Sequence, residues 1–158
     1  GHLACPCQPH LLRTSASDFI GNAALHDEVF GACALIVECD SVAQMQQVLT
    51  ALEGQLTATV HLEEADYALA DQLLPLLERR AGRILFNGWP TGVEVCHSMV
   101  HGGPWPSTSD SRTTSVGSAA IQRFLRPVCY QAMPEALAPD SLKADNPLGL
   151  TRQVNGKR

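Results

Sequence analysis

Strand and helix signals alternate along residues 34–86, and this alternation constrains the fold more than any other feature. Residues 34–39 are almost wholly apolar, which predicts a strand buried on both faces. Residues 56–62 alternate apolar with polar side chains, and residues 83–86 give a third strand signal. Strands that are separated by helices and short connections pair in parallel through right-handed crossovers. We therefore predict an α/β fold with a parallel sheet.

The two segments between these strands carry helix signals. Residues 42–52 place apolar side chains at helical spacing, and Ser41 offers an N-cap. Residues 63–80 begin with acidic side chains and end with two arginines, which suits the helix dipole, although Pro75 should kink this helix. In parallel sheets, ligands bind beyond the carboxyl ends of the strands. The loop that begins at Asn87 leaves from such an end, so we expect functional residues there.

Size and composition exclude several classes of protein. The 158 residues with 45% hydrophobic content suit one globular domain. A net charge of -5 with few basic residues argues against a nucleic-acid partner. The longest apolar stretch, around residues 31–37, is far shorter than the ~20 residues that a membrane span needs. With no signal-peptide pattern at the start and six scattered cysteines, we expect reduced thiols and a cytoplasmic protein.

The remaining segments have weaker patterns. Residues 1–22 form an irregular lead-in with a short helical turn near its end. Residues 91–115 are rich in Gly, Pro, Ser and Thr, and a loop of this length is usually functional or disordered. Residues 116–124 predict a short helix. Residues 125–131 predict a strand whose proline confines it to a sheet edge or to exchange with another subunit, and a tail follows.

Thiols and imidazoles occur together in two places. The first group is Cys5, Cys7 and His10, and the second is Cys96, His97 and His101. Either could bind a metal ion, and the second could supply a nucleophile with its base. The first group has no second half-site of similar spacing, and adjacent residues of an extended segment, as in the second, point to opposite faces. We therefore interpret the first group as part of an irregular lead-in and the second as part of a structural loop. We expect neither group to bind a metal ion or to supply a catalytic residue.

Several segments resemble aldehyde dehydrogenases, and they occur in that family's order. Residues 25–31 resemble the family's EEVFGP segment, and residues 83–93 look like its Gly-x-Val-x-Val-Asn segment. His101-Gly102-Gly103 stands where most members have Pro-Phe-Gly-Gly, and residues 109–117 stand at the family's Ser-Gly-x-Gly-Arg-Glu run. Residues 86–131 are most similar to the branch of α-ketoglutaric semialdehyde (2,5-dioxovalerate) dehydrogenases.

This resemblance implies a fold and an activity. The fold would be a three-layer α/β/α arrangement with a parallel sheet. Residues 1–124 would form the C-terminal part of the catalytic domain, and residues 125–158 the oligomerisation strand and tail. The whole enzyme would use NAD or NADP to oxidise a small aldehyde to a carboxylic acid, and the resemblance favours a semialdehyde as that substrate. The strand at residues 125–131 would join subunits into a homo-oligomer.

The resemblance also implies roles for individual residues. Glu28 would hold the nicotinamide ribose, and Phe30 would pack near the nicotinamide. Six residues would border the tunnel through which the aldehyde reaches the nucleophile. They are Asn87, Trp89, Pro90, Thr91, Val93 and His101. Because His101 replaces the common phenylalanine, we expect an aldehyde that is more polar than a long alkyl one.

The chain also departs from the family's pattern. Thr113 occupies the place of a glutamate that assists the hydrolytic water in many members. None of the six cysteines has the Gly-Gln-x-Cys setting of the family's nucleophile, and the coenzyme domain belongs to the preceding part of such an enzyme. We therefore expect this chain to be inactive alone and to need that N-terminal part as its partner. The alternatives are a non-catalytic assembly module and a small metal-binding protein that uses its Cys and His residues.

Overall fold

The computed structural model describes residues 8–90 and 92–157, and the chain divides into two units, residues 1–124 and residues 125–158. The first unit contains all the strands and α-helices that follow. They are β1 (His10–Ser15), α1 (Ala16–Gly21), β2 (Cys33–Glu38), α2 (Val42–Ala51), β3 (Gln55–Val60), α3 (Tyr67–Arg80) and β4 (Ala81–Phe86). Single 3-10 turns at Ala23–Leu25 and Glu64–Asp66 precede β2 and α3, and a longer 3-10 helix at Ser118–Phe124 ends the unit.

The strands pair in parallel, as the sequence predicts. β1 pairs with β2, with His10 opposite Cys33, and β3 pairs with β4, with Gln55 opposite Ala81. The α/β class is therefore confirmed. The four strands nevertheless form two separate two-stranded sheets rather than one continuous sheet. Parallel sheets are normally covered on both faces and contain more strands, so a three-layer arrangement would need further strands from elsewhere.

The prediction that β2 is buried on both faces was wrong. Its residues alternate, with Leu35 and Val37 partly buried and Ile36 45% exposed. Leu35 and Val37 pack against a small core of Ala16, Phe19 and Val48. Helices α1 and α2 supply this core, whereas no described part of the chain covers the face that carries Ile36. A near-continuous apolar strand is therefore left with one apolar face open.

The two predicted helices are present. The Ser41 hydroxyl caps α2 by accepting a hydrogen bond from Gln44 N at 3.2 Å, and α3 runs through Pro75 to Arg80. The Arg80 guanidinium donates to Leu49 O at 3.2 Å and to Thr50 O at 2.6 Å. These carbonyls belong to the last turn of α2, where cations are favourable. Arg80 thereby joins the ends of the two helices.

Strand β1 and helix α1 occupy the segment that was predicted as an irregular lead-in. The six residues of β1 lack a helical or alternating pattern, and they become a strand by pairing with β2, about twenty residues later. α1 begins at Ser15, whose hydroxyl accepts a hydrogen bond from Asp18 N at 3.0 Å. The short helical turn predicted near residue 17 corresponds to α1, whereas β1 was not predicted.

The loop at residues 92–115 packs closely against the beginnings of β3 and β4. A Cβ atom on Gly82 would lie 2.0 Å from the carbonyl oxygen of Gly102, and one on Gly54 would lie 2.2 Å from that of Pro104. Gly54 N also donates to Trp105 O at 3.2 Å. Only glycine fits at Gly54 and Gly82, because the loop backbone occupies the space of a side chain.

In the second unit, none of residues 125–131 is in a strand, so the predicted strand does not form in the single chain. An extended segment needs a neighbouring strand to receive its hydrogen bonds, and the predicted neighbour belongs to another subunit. Leu125, Val128 and Tyr130 are exposed. The rest of the unit consists of turns, a 3-10 helix at Glu135–Leu137 and a single bridge between Val154 and Lys157.

The chain buries little of its apolar surface. Its accessible surface is 12,506 Å², whereas a folded monomer of 17.0 kDa exposes roughly 7,700 Å². No large side chain among the described residues is fully buried. Within residues 8–90 and 92–157, no helix is both long and apolar enough to cross a membrane.

Candidate functional site

Glu28 lies in a polar cleft of about 590 Å³. It follows the 3-10 turn at Ala23–Leu25, and the opposite wall is formed by residues 53–57 at the start of β3. Asp27 and Glu53 line the same cleft, so three acidic residues and one imidazole, that of His26, contribute to its wall. Such a cleft suits ligand hydroxyl groups, which donate hydrogen bonds to carboxylates, and it disfavours phosphate groups, which carry the same charge.

Phe30 lies two residues beyond Glu28 and is 94% exposed. It is not among the described residues that line the cleft. The segment then passes through Gly31, whose φ of 152° is one that other residues rarely adopt. The ring of Phe30 is therefore a free aromatic surface next to a carboxylate-lined cleft.

Asn87 joins the carboxyl ends of β3 and β4. Its backbone is left-handed with φ 51°, and its backbone N donates to Val60 O at 3.0 Å. Its side-chain oxygen accepts from Leu62 N at 2.8 Å, and its side-chain nitrogen donates to Leu62 O at 2.9 Å. Both polar groups of the side chain are therefore engaged with the backbone. Asn87 therefore shapes the start of the loop, and one donor and one acceptor site of its amide are used in doing so.

Trp89 and its neighbours lie beyond the same strand ends. Trp89 is 76% exposed, and its ring centroid is 5.0 Å from that of His61, with the planes tilted by 47°. Pro90 is exposed and Val93 is half-buried, while Thr91 lies outside the described residues. The Arg83 guanidinium donates to Gly92 O at 2.9 Å, which holds the loop back against β4.

His101 lies in a different place from Asn87 and Trp89. It lines a pocket of about 540 Å³ together with Leu56, the second residue of β3. Asn87 and Trp89 follow the last residue of β4, so the length of a six-residue strand, roughly 20 Å, separates the two ends. The predicted tunnel residues are therefore not brought together in this chain. The loop returns along the sheet before it reaches His101, as the contacts of Gly54 and Gly82 require.

Backbone hydrogen bonds fix His101 within its loop. Its N donates to the Thr114 hydroxyl at 2.8 Å, and its carbonyl accepts from Ser115 N and from the Ser115 hydroxyl, both at 3.0 Å. Thr114 is the one buried polar residue of the described chain. The ring atom Nδ1 of His101 is buried and has no hydrogen-bond partner among the described residues.

Two features of the His101 pocket were not foreseen from the sequence. One is Arg123, from the 3-10 helix at Ser118–Phe124, and the other is a wall of hydroxyl side chains from residues 107–115. The density of Ser and Thr in that stretch was the available signal, but its partner Arg123 lies far along the chain. Asp110 in this wall is bound by Arg112 at 3.0 Å, and hydrogen bonds from Arg112 hold the pKa of Asp110 below its usual value.

The second group of thiols and imidazoles is dispersed. Cys96 Sγ is 3.6 Å from the Ser98 hydroxyl, whereas His97 Nδ1 is hydrogen-bonded to the Ser118 hydroxyl. Cys5 and Cys7 of the first group lie outside the described residues, and His10 begins β1. Among the residues that the structure describes, no three His, Cys, Asp or Glu side chains are arranged to hold a metal ion.

Comparison with known proteins identifies the chain's relatives. Alpha-ketoglutaric semialdehyde dehydrogenase 2 of Azospirillum brasilense is 52% identical over 153 residues, which is 97% of this chain. Alpha-ketoglutaric semialdehyde dehydrogenase of Acinetobacter baylyi is 54% identical over 155 residues, or 98% of this chain. The chain is therefore similar, along almost its whole length, to a segment of two aldehyde-oxidising dehydrogenases. It spans only 29% and 30% of the length of these two enzymes and corresponds to their C-terminal part. No protein-family model matches it.

The aldehyde dehydrogenase homology extends over every segment described above. The alignments of 153 and 155 residues leave almost none of the 158 outside, so both the Glu28 cleft and the His101 loop have counterparts in the relatives.

Proposed function

We propose that this chain is the C-terminal part of an NAD(P)-dependent enzyme that oxidises a small semialdehyde to a carboxylic acid. The identity of 52–54% along almost the whole chain to two semialdehyde dehydrogenases carries this proposal. None of the six cysteines has the sequence setting of the family's nucleophile. The chain by itself is therefore inactive, and the preceding part of the enzyme supplies the thiol that attacks the aldehyde.

The Glu28 cleft is the proposed site for the nicotinamide end of NAD or NADP, which accepts a hydride from the substrate when bound. Glu28 would accept hydrogen bonds from the ribose hydroxyls, and the exposed ring of Phe30 would supply an aromatic surface for the nicotinamide. The fit to a ribose rests on the carboxylates of the cleft. Because Asp27 and Glu53 in the same lining would disfavour phosphate, we expect the preceding part of the enzyme to hold the coenzyme's pyrophosphate.

The aldehyde tunnel is proposed to run along the loop that begins at Asn87. Trp89, Pro90, Thr91 and Val93 border it, with His101 on a more distant wall. Asn87 acts as a positioning residue, because its amide oxygen and its amide nitrogen are each hydrogen-bonded to the Leu62 backbone. The exposed face of Trp89, which is 76% accessible, supplies an apolar wall.

The N-terminal part of the enzyme is the proposed partner of the open apolar faces. Leu11 and Ile36 lie on one face of the β1–β2 pair and are 71% and 45% exposed. Strands from the preceding part would extend the two short sheets and cover them as a three-layer α/β/α domain.

Residues 125–131 are proposed to add to a sheet of a second subunit in a homo-oligomer. The four described cysteines carry free thiols, which suits a reducing cytoplasmic location.

A chimeric enzyme tests the proposal. The chain replaces the corresponding segment of the Acinetobacter relative, and the chimera is assayed with NAD or NADP and alpha-ketoglutaric semialdehyde by the absorbance of the reduced nicotinamide. We expect turnover from the chimera and none from the chain alone. Turnover by the chain alone that is abolished in Cys96→Ala would overturn the proposal, since the chain would then carry its own nucleophile.

A pair of variants in the chimera tests the coenzyme site. Glu28→Gln should weaken coenzyme binding about tenfold, because a charged acceptor is replaced by a neutral one. Glu78→Gln removes the same charge from an exposed position on α3 and should leave binding unchanged. Equal binding by the two variants would contradict the role of Glu28.

A further inference from the structure

We propose that the pocket between β3 and the 3-10 helix at Ser118–Phe124 binds a small anion with a carboxylate or phosphate group. The pocket has a volume of about 540 Å³, within the usual range for small-molecule sites. His101 and Arg123 are the two basic side chains in its wall, and Leu56 supplies an apolar patch. Of these residues, only His101 is shared with the proposed aldehyde tunnel, and anion binding is testable on the chain alone.

Several hydroxyl groups of the pocket wall already donate hydrogen bonds to carbonyl oxygens of the same loop. The Ser107 hydroxyl donates to Pro104 O at 2.6 Å, and the Thr108 hydroxyl donates to Gly103 O at 2.7 Å. The Ser115 hydroxyl donates to His101 O at 3.0 Å. These bonds make the wall rigid, so a ligand would meet a preformed surface. The donors that remain for a ligand belong to Arg123, His101 and Ser109.

Arg123 has no ion pair or hydrogen bond with any other described residue, and His101 Nδ1 is buried without a partner. A guanidinium group and an imidazole that converge on one pocket are the donors that proteins use for carboxylates and phosphates.

The balance of charge also favours an anion. Asp110 is the one carboxylate among the described lining residues, and Arg112 binds both of its oxygens, at 3.0 and 3.2 Å. Arg112 therefore compensates the charge of Asp110 within the wall. Arg123 lies near enough to lower the pKa of Asp110 further, but it forms no contact within ion-pair distance. The pocket consequently retains one uncompensated positive charge.

Two anions distinguish the possible sources of the ligand. Glutarate represents the carboxylate end of a small acid, and inorganic phosphate represents the phosphoryl group of a coenzyme or nucleotide. Each is titrated into the 158-residue chain by calorimetry. Binding of glutarate alone assigns the pocket to a carboxylate, and binding of phosphate, alone or with glutarate, assigns it to a phosphate. Failure of both to bind overturns the proposal.

Variants locate the binding. Arg123→Gln should weaken anion binding about tenfold to hundredfold, and His101→Gln should weaken it less, because the guanidinium offers several N–H donors and the imidazole at most two. Arg79→Gln removes the same charge from an exposed position on α3 and serves as the control. Arg123 is exposed, so its substitution leaves the fold intact. Anion binding that survives Arg123→Gln unchanged would show that the pocket is not the site.

Discussion

Replacing Asn87 with alanine removes two hydrogen bonds that connect the ends of β3 and β4. The Asn87 side chain accepts from Leu62 N at 2.8 Å and donates to Leu62 O at 2.9 Å, across 25 residues of sequence. The same residue holds a left-handed backbone with φ 51°, which asparagine tolerates better than alanine. The variant therefore loses a tertiary connection and gains backbone strain together.

The expected cost follows from these two effects. The bonds are exposed, so each contributes about 0.5–1 kcal/mol, at the lower end of the usual range. The left-handed backbone adds about 1 kcal/mol for alanine. We expect Asn87→Ala to lower the free energy of unfolding by about 2–3 kcal/mol, a large share of a typical 5–15 kcal/mol. Asn87→Gly should recover about 1 kcal/mol, because glycine adopts the same φ without strain.

Hydrogen exchange of the Leu62 amide reports this connection directly. Asn87→Ala should accelerate it by roughly 30-fold, the factor that corresponds to about 2 kcal/mol. Asn146 offers a matched control, since its φ is also 51° and its side chain makes the same two bonds with Leu150, both at 3.0 Å. Asn146→Ala breaks a local connection in the other unit and should leave Leu62 unchanged. Unaltered Leu62 exchange in Asn87→Ala would refute the reasoning.

Two further predictions concern packing and thiol chemistry. Gly82→Ala should destabilise the chain by about 1–3 kcal/mol in denaturant unfolding, because its Cβ would lie 2.0 Å from a loop carbonyl oxygen. Gly21→Ala is the control and should be neutral, because no described atom lies within 4 Å of the added Cβ. Equal effects of the two substitutions would contradict the close approach at Gly82. Cys39 should react with iodoacetamide more slowly than the exposed Cys129, because burial, and then the charge of Asp40, raise the pKa of the Cys39 thiol. Asp40→Asn should accelerate Cys39 alone, and an unchanged rate in mass spectrometry would exclude that contribution.

Much of the first unit follows from local signals in the sequence. The alternation of strands and helices from β2 to β4 was predicted because hydrophobic periodicity and capping act within one element. Ser41, for example, caps α2 through a residue only three positions away. The position of β1 was missed, because its six residues become a strand only by pairing with β2. Burial of β2 on both faces was wrong, because burial depends on what packs against a strand.

The candidate sites also combine features that the local sequence indicated with features that only the structure shows. Glu28 was found from a short segment that resembles a known family, and the structure adds the carboxylate-lined cleft around it. Asn87 stays a predicted tunnel residue, and the structure adds two hydrogen bonds to Leu62 that the sequence could not indicate. Arg123 was missed altogether, since its neighbour His101 lies twenty-two positions earlier along an irregular loop.

The sequence by itself therefore indicated the resemblance to aldehyde dehydrogenases, the α/β class and the order of elements from β2 to β4, because each depends on residues that are close along the chain. Only the tertiary structure decided which of the predicted tunnel residues lie near one another. It separated His101 from Asn87 by the length of a strand and brought it next to Arg123. The physical reason is that backbone hydrogen bonds and glycine contacts, such as those at Gly82, direct an irregular loop in ways that no local period encodes.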